Sequence, residues 1–211
     1  MGRLIVIEGL DGAGKRTLAD GLEKAWGDRR LTRLAFPRYG ASHAADLVRD
    51  ALYDRVGDLS RSVYGMAALY ALDRAGARAE LLAALHDSDV VLLDRYVASN
   101  AAYGAARLHQ DADGEFVRWV HDLEVGRHRL PRPHAHVLLR VPRELAADRA
   151  LRRAEEDADR MRDTFESDDA LQARTSAVYD GLAGDGWLAP WHVLDGSAEV
   201  DHEALAARLL A

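Results

Sequence analysis

The chain has 211 residues, of which 48% are hydrophobic and 30% charged, as expected of a globular protein with a single domain. Its formal net charge of −7 argues against a protein that coats nucleic acid or an anionic membrane. It contains no cysteine, which excludes a disulfide framework, and no run of about 18 apolar residues that would span a membrane. We therefore expect a cytoplasmic protein whose partners are neither nucleic acid nor a membrane.

Short apolar runs alternate with helical patterns along the whole chain. Strands are predicted at 4–7, 31–36, 90–93, 136–141 and 191–194. Helices are predicted at 15–26, 44–53, 60–85, 167–182 and 200–210, with another that begins at Pro142. Short buried strands separated by helices are typical of a parallel sheet covered on both faces. No repeat or linker divides the pattern, so we expect one α/β domain over residues 1–211.

A glycine-rich segment joins the first predicted strand to the first predicted helix. Glycines let successive backbone N–H groups turn toward phosphate oxygens, and the helix N-terminus adds a partial positive charge. Lys15 stands where such a loop places the lysine that contacts the β- and γ-phosphates, although the chain has only two lysines among its 28 basic residues. The segment therefore predicts an ATP-binding P-loop rather than a plain connecting turn. The predicted ATP-binding residues are Gly9, Leu10, Asp11, Gly12, Ala13, Gly14, Lys15, Arg16 and Thr17.

The loop departs from the general P-loop pattern at one position. The residue after the lysine is usually Ser or Thr, whose hydroxyl ligates Mg²⁺, but here it is Arg16, and Thr17 follows one step later. We therefore expect other groups to hold the metal, and Asp11 and Glu166 are the predicted ligands.

P-loops are shared by GTPases, ATPases and many kinases, so the rest of the chain must decide the class. The Asn-Lys-x-Asp motif with which GTPases recognise guanine is absent, because the one asparagine, Asn100, is followed by Ala101. A signalling GTPase is therefore disfavoured.

Four further motifs follow the P-loop in order. They are Phe-Pro-Arg-Tyr at 36–39, Ala-Leu-Asp-Arg at 71–74, Asp-Arg-Tyr-Val-Ala-Ser-Asn-Ala-Ala-Tyr at 94–103 and Arg-Met-Arg-Asp-Thr-Phe-Glu at 160–166. Together with the P-loop they closely resemble the bacterial thymidylate kinases, especially the actinobacterial ones. The resemblance implies a three-layer P-loop NTPase fold with a five-stranded parallel sheet and a short arginine-rich lid near 149–166. It also implies transfer of the γ-phosphoryl group of ATP to dTMP in dTTP biosynthesis, with Mg²⁺ as cofactor, by a homodimer.

The same resemblance implies an acceptor site around the 94–103 motif. Arg95, at the exit of a parallel strand, would clamp the acceptor phosphate, because a guanidinium matches a phosphate in shape and charge. Asn100 and Arg74 would contact the thymine base, and Tyr103 would leave no room for a 2′-hydroxyl. The predicted dTMP-binding residues are Asp11, Phe36, Pro37, Tyr39, Tyr70, Arg74, Arg95, Ser99, Asn100, Tyr103, Asp163 and Phe165.

Plainer interpretations of some of these residues exist. Without the resemblance, Arg74 would be expected to form a helix-surface ion pair with Asp73 or Glu80. Tyr70 and Tyr103 would be partly buried core aromatics.

Arginines are concentrated in the predicted lid, mixed with acidic residues. Taken alone, this pattern is equally compatible with a solvated helical face of alternating charge. Phosphoryl transfer needs cations at the oxygens that gain charge, and arginines of a closing lid would supply them. By the resemblance, Arg153 is the first choice for this role and Arg160 the second. The predicted catalytic residues are Lys15, Arg95, Arg153, Arg160 and Asp11.

Two other functions stay open. One is a kinase for another small acceptor, such as a different nucleoside monophosphate or a free deoxynucleoside. The other is a non-catalytic switch or adaptor that binds ATP or GTP. A smaller alternative concerns His134 and His136, which could form a metal pair at a strand start, although no third ligand is evident.

Overall fold

The computed structural model describes residues 1–141 and 168–211, and its strands form one parallel sheet. The strands are β1 (Arg3–Glu8), β2 (Leu31–Ala35), β3 (Val90–Asp94), β4 (Ala135–Arg140) and β5 (Trp191–Asp195). Their order is β2-β3-β1-β4-β5, so β1 lies at the centre between β3 and β4. The P-loop segment after β1 therefore leaves the sheet at its middle, beside the carboxyl ends of β3 and β4.

The described residues contain eight α-helices. They are α1 (Lys15–Trp26), α2 (His43–Leu52), α3 (Val63–Gly76), α4 (Arg78–Asp87), α5 (Val97–Arg107), α6 (Glu115–His121), α7 (Asp169–Gly184) and α8 (His202–Leu210). In this part of the chain no helix has both the length and the apolar composition needed to cross a membrane.

Two apolar clusters hold the helices to the sheet. Successive side chains of a strand point to opposite faces. Leu4 and Val6 of β1 therefore belong to a cluster shared with α4, α5, α6 and α7, whereas Ile5 and Ile7 belong to one shared with α1 and α8. The result is a helix–sheet–helix arrangement, which confirms the predicted α/β fold.

The five predicted strands are confirmed, and each observed end lies within one residue of its prediction. The helix at 15–26 is also confirmed, but the single helix predicted at 60–85 is wrong. A 3₁₀ turn at Leu59–Arg61 comes first, and α3 and α4 then follow as separate helices. Ser62 starts α3, because its hydroxyl accepts a hydrogen bond from the N–H of Gly65 at 3.1 Å. Gly76, a poor helix former, ends it.

Helices α5 and α6 have no counterpart among the predicted elements. Helix α5 follows β3 after only two residues and carries most of the 94–103 motif. Helix α6 continues into a π-helical turn at Asp122–Arg127. The predicted lid and the helix expected from Pro142 lie outside the described residues.

Candidate active site

Three glycines with positive φ shape the P-loop. Gly9, Gly12 and Gly14 have φ values of 144°, 80° and 95°, which residues with a Cβ rarely adopt. Gly9 also passes close to β4, because a Cβ added to it would lie 2.6 Å from the carbonyl oxygen of Leu139. The loop leads directly into the N-terminus of α1, where the helix dipole and free backbone N–H groups favour a phosphate.

Lys15 is folded back onto this loop. Its Nζ donates to the carbonyl oxygens of Gly9 at 3.2 Å and Leu10 at 2.9 Å. Burial lowers the pKa of Lys15 to about 8, and the positive charge of Arg95 acts in the same direction. An arriving phosphate would replace two neutral carbonyl contacts with stronger charge-assisted ones.

Arg95 leaves the end of β3 in a left-handed backbone conformation, with φ of 66°. Its backbone N–H donates to the carbonyl of Ile7 at 3.0 Å, which ties the exit of β3 to the end of β1. Such a conformation costs about 1–3 kcal/mol in a residue other than glycine, and it is concentrated at functional sites. The surrounding structure thus holds Arg95 beside the P-loop.

The structure brings together three of the residues predicted to bind the acceptor. Arg95 Nη2 donates to Asp11 Oδ1 at 2.5 Å, and the Tyr103 hydroxyl donates to Asp11 Oδ2 at 2.8 Å. The guanidinium also lies over the Tyr103 ring, 5.3 Å from its centroid. Burial opposes the negative charge of Asp11, but Arg95 and Lys15 together hold its pKa well below its usual range. An ion pair therefore stands next to the phosphate loop.

A buried carboxylate that the sequence did not point to supports this cluster. Glu8, at the end of β1, is 0% exposed. Its Oε2 accepts from the Ser99 hydroxyl at 2.6 Å and the Tyr179 hydroxyl at 2.9 Å, and its Oε1 accepts from the N–H of Tyr96 at 3.0 Å. Ser99 Oγ in turn accepts from Arg95 Nη1 at 3.2 Å. Burial raises the pKa of Glu8 despite these contacts.

The two predicted thymine-binding residues meet at a second buried carboxylate. Glu124 Oε2 accepts from Arg74 Nε at 2.5 Å, and Glu124 Oε1 accepts from Arg74 Nη2 and Asn100 Nδ2, both at 2.8 Å. Arg74 thus pairs neither with Asp73 nor with Glu80, and it is not a surface residue, because its side chain is 3% exposed. The plainer interpretation of Arg74 is wrong.

The other residues predicted to bind dTMP differ in burial and in their contacts. Phe36 is buried, with its ring centroid 5.9 Å from that of Tyr96, and its peptide bond to Pro37 is cis. Tyr39 is 45% exposed, and Tyr70 packs partly buried against residues of α2. Ser99 is shared with the Glu8 network. Asp163 and Phe165 lie outside the described residues, as do Arg153, Arg160 and Glu166, so their roles stay predictions.

One carboxylate oxygen near the P-loop fits a divalent cation. Asp94 Oδ1, at the end of β3, is buried and has no hydrogen-bond partner in the part of the chain that the structure describes. Such an oxygen is a preferred ligand of Mg²⁺. Of the two residues after Lys15, Arg16 has no hydroxyl, and Thr17 has one and is exposed.

The histidine pair shows no metal geometry. His134 Nδ1 accepts the N–H of Leu4 at 2.9 Å, whereas His136 stacks on Trp191 with ring centroids 4.2 Å apart. Among residues 1–141 and 168–211 no group of three or more His, Cys, Asp or Glu could hold a metal ion. A cation at Asp94 would therefore need further ligands from outside this set, such as the predicted Glu166 or a bound nucleotide.

Comparison with known proteins identifies the family of this chain. A model of the family described as thymidylate kinase matches residues 7–202, nearly the whole chain. The chain belongs to the thymidylate kinase family. The thymidylate kinase of Mycobacterium tuberculosis is 52% identical over 208 residues, which cover 98% of this chain and 96% of that protein. The thymidylate kinase of Akkermansia muciniphila is 34% identical, over 99% of this chain and 89% of its own length.

Membership in the thymidylate kinase family confirms the resemblance found in the motifs. The chain is a kinase, and hence a transferase that binds nucleotides. The alternative of a non-catalytic switch is accordingly disfavoured.

Proposed function

We propose that this thymidylate kinase-family enzyme transfers the γ-phosphoryl group of ATP to dTMP, giving ADP and dTDP. The observation that carries the proposal is the position of Arg95. Its guanidinium is 2.5 Å from Asp11 of the P-loop, so a phosphate clamp adjoins the ATP cradle. In-line transfer requires an oxygen of the acceptor phosphate to face the γ-phosphorus of ATP on the side opposite the leaving oxygen. The two phosphate sites must therefore be adjacent.

The chain's own residues would supply positioning and charge. Lys15 would exchange the carbonyls of Gly9 and Leu10 for ATP phosphate oxygens, and Arg95 would exchange Asp11 for the acceptor phosphate. Both exchanges replace internal contacts with contacts to a ligand that carries more charge. Arg153 and Arg160 remain the proposed lid cations, which would stabilise the transferring group.

Mg²⁺ is the proposed cofactor. Asp94 would hold it through Oδ1, which has no hydrogen-bond partner among the described residues, with Asp11 and Glu166 as the further predicted ligands. When bound, the ion would neutralise charge on the phosphate oxygens. Asp94 was missed in the sequence, although its place at the end of a buried strand next to a P-loop was a usable signal.

The base would lie against Asn100 and Arg74. An amide and a guanidinium can together match the N3–H and a carbonyl of thymine. Phe36 and Tyr70 are the proposed stacking partners, with Pro37 and Tyr39 at the edge of the pocket. Tyr103, fixed on Asp11 at 2.8 Å, would close the space that a 2′-hydroxyl needs.

We also propose a homodimer, with the α3 surface as its contact. Tyr64 and Leu72 of α3 are 42% and 52% exposed, so this helix presents two large apolar side chains to solvent. Sedimentation of the wild type and of Leu72→Glu would test this, and we expect only the variant to be monomeric. Because the reaction uses ATP and dTMP, we keep the cytoplasm as the proposed location.

The test of the reaction is ADP release with ATP and Mg²⁺ and one acceptor at a time. The acceptors are dTMP, dUMP, dCMP, dGMP, UMP and thymidine. We expect dTMP turnover to exceed that with dCMP, dGMP and thymidine by orders of magnitude. Preference for another monophosphate would keep the kinase and reject the base assignment, whereas preference for thymidine would reject the phosphate role of Arg95.

A further inference from the structure

Glu124 is a buried carboxylate that the proposed phosphate chemistry does not use. It lies in the π-helical turn Asp122–Arg127 and is 0% exposed. A charge is costly to bury unless it is paired and hydrogen-bonded. Helical π turns are rare and occur frequently at functional sites. Both facts suggest that this carboxylate has a specific task.

The contacts of Glu124 fix the plane of one guanidinium. Arg74 donates to both of its carboxylate oxygens, from Nε at 2.5 Å and from Nη2 at 2.8 Å. A two-point fork of this kind sets orientation as well as position. Nη1 of Arg74 has no hydrogen-bond partner among residues 1–141 and 168–211, so its two N–H groups are available to a ligand.

The same carboxylate fixes the orientation of an amide. One terminal atom of Asn100 lies 2.8 Å from Glu124 Oε1 and 3.0 Å from the carbonyl oxygen of Ala67. Because both neighbours are acceptors, that atom must be the NH₂ group, and the reversed amide would place three oxygens together. Oδ1 is the atom that remains, and no described residue donates to it.

We propose that Glu124 is a specificity-determining positioning residue, which makes Asn100 present an acceptor and Arg74 a donor to the base. Thymine and uracil carry a donor at N3 beside an acceptor at O4, which complements this pair. Cytosine carries the inverse, an acceptor at N3 beside an amino group, and would meet like groups at both positions. The inference rests on the proposed function, in which Asn100 and Arg74 face the base.

The test is the ratio of kcat/KM for dTMP to that for dCMP in Glu124→Gln. The glutamine amide replaces one carboxylate oxygen with an NH₂ group, which would face either Arg74 Nε or both Arg74 Nη2 and Asn100 Nδ2, so in each orientation a donor meets a donor. We expect the ratio to fall at least about tenfold, because a misdirected buried group costs a site its discrimination. The KM for ATP should stay unchanged. The control is Asp73→Asn, a buried carboxylate on the same helix that binds Arg38 at 2.9 Å.

Glu124→Asp is the second variant, in case the glutamine variant does not fold. It keeps the charge beside Arg74 but is one methylene shorter, so we expect a smaller fall in the ratio, with wild-type thermal stability largely retained. A wild-type ratio in either folded variant would overturn the inference, as would an equal fall in Asp73→Asn. If the wild type itself does not prefer dTMP to dCMP, the proposed function fails instead, whatever the variants do.

Discussion

The phosphate region around Arg95 and the base region around Glu124 both contain an arginine–carboxylate pair, but the pairs differ in exposure. Arg95 and Asp11 are 15% and 28% exposed, and a phosphate or a cation can replace either partner. Arg74 and Glu124 are 3% and 0% exposed, and breaking such a pair costs about 3–5 kcal/mol. The first pair is arranged to exchange partners, and the second to keep them. In the proposed function, phosphate is therefore bound by exchange of partners, whereas the base is recognised by groups held in fixed positions.

Arg95→Ala removes the proposed clamp and should have the largest effect. We expect kcat/KM for dTMP to fall about 10³-fold, as when a preorganised charged contact is lost. Arg33→Ala is the control, because Arg33 forms an exposed pair with Asp20 on α1 and should leave the rate unchanged. An unchanged rate of Arg95→Ala at low dTMP would reject the clamp.

Glu8→Gln tests how far the phosphate region depends on its buried support. The amide would turn a donor toward groups that already donate, so we expect a loss of about 1–3 kcal/mol in the free energy of unfolding. We also expect kcat/KM for dTMP to fall by about tenfold as Arg95 loses its anchor through Ser99. Tyr179→Phe removes a single donor and should lose only about 1 kcal/mol. If Glu8→Gln has the urea unfolding curve and the kinetics of the wild type, the hydrogen-bond network around Glu8 is dispensable.

His136 is a buried polar residue in neither region, so it should affect stability alone. Burial lowers its pKa to about 3 from 6.5, and both ring nitrogens lack partners within the described residues. The unfolded state thus takes up the proton first, and stability should fall as the pH drops from 6.5 toward 3. The slope is about 1.4 kcal/mol per pH unit for one proton.

His136→Phe keeps a ring against Trp191 and should remove that part of the acid sensitivity. Urea unfolding at pH 7 and pH 5 measures it, and kinetics at neutral pH should not change. The same loss of stability on acidification in both proteins would contradict the assignment.

The smallest predicted effect is a change in the protonation of Lys15, in the phosphate region, when ATP binds. With a pKa of about 8 in the free protein, Lys15 is about half neutral at pH 8, and phosphate should restore its charge. ATP binding at pH 8 should therefore take up about half a proton, and almost none near pH 6.5. Calorimetry in buffers of different ionisation enthalpy measures this uptake. Lys15→Arg, which is always charged, should show none, and equal uptake in both proteins would exclude Lys15 as its source.

The residues of the phosphate region could be proposed from local sequence because they lie in two short motifs, although Arg95 and Asp11 are 84 residues apart along the chain. The P-loop is one continuous segment, and Arg95, Ser99 and Tyr103 all lie in the 94–103 motif, where Ser99 and Tyr103 are four residues apart and share one face of α5. The sheet was predictable for the same reason, since each strand is a short apolar run. Long helical patterns were less informative, and the break at Ala77 was missed.

The supporting carboxylates could not be predicted in this way. Tyr179 and Glu8 are 171 residues apart, and Arg74 and Glu124 are 50 apart, so only the folded chain brings them together. No motif in the sequence indicates which side chains Glu8 or Glu124 would contact. Only the tertiary contacts single out these two acids as candidates for a supporting role.

The division of labour between the two regions has one direct test, the kcat/KM values for dTMP and dCMP in Arg95→Ala and Glu124→Gln. We predict that Arg95→Ala lowers both values by the same factor and leaves their ratio unchanged. We predict that Glu124→Gln lowers the value for dTMP much more than that for dCMP. A changed ratio in Arg95→Ala together with an unchanged ratio in Glu124→Gln would contradict the assignment of charge capture to one region and base selection to the other.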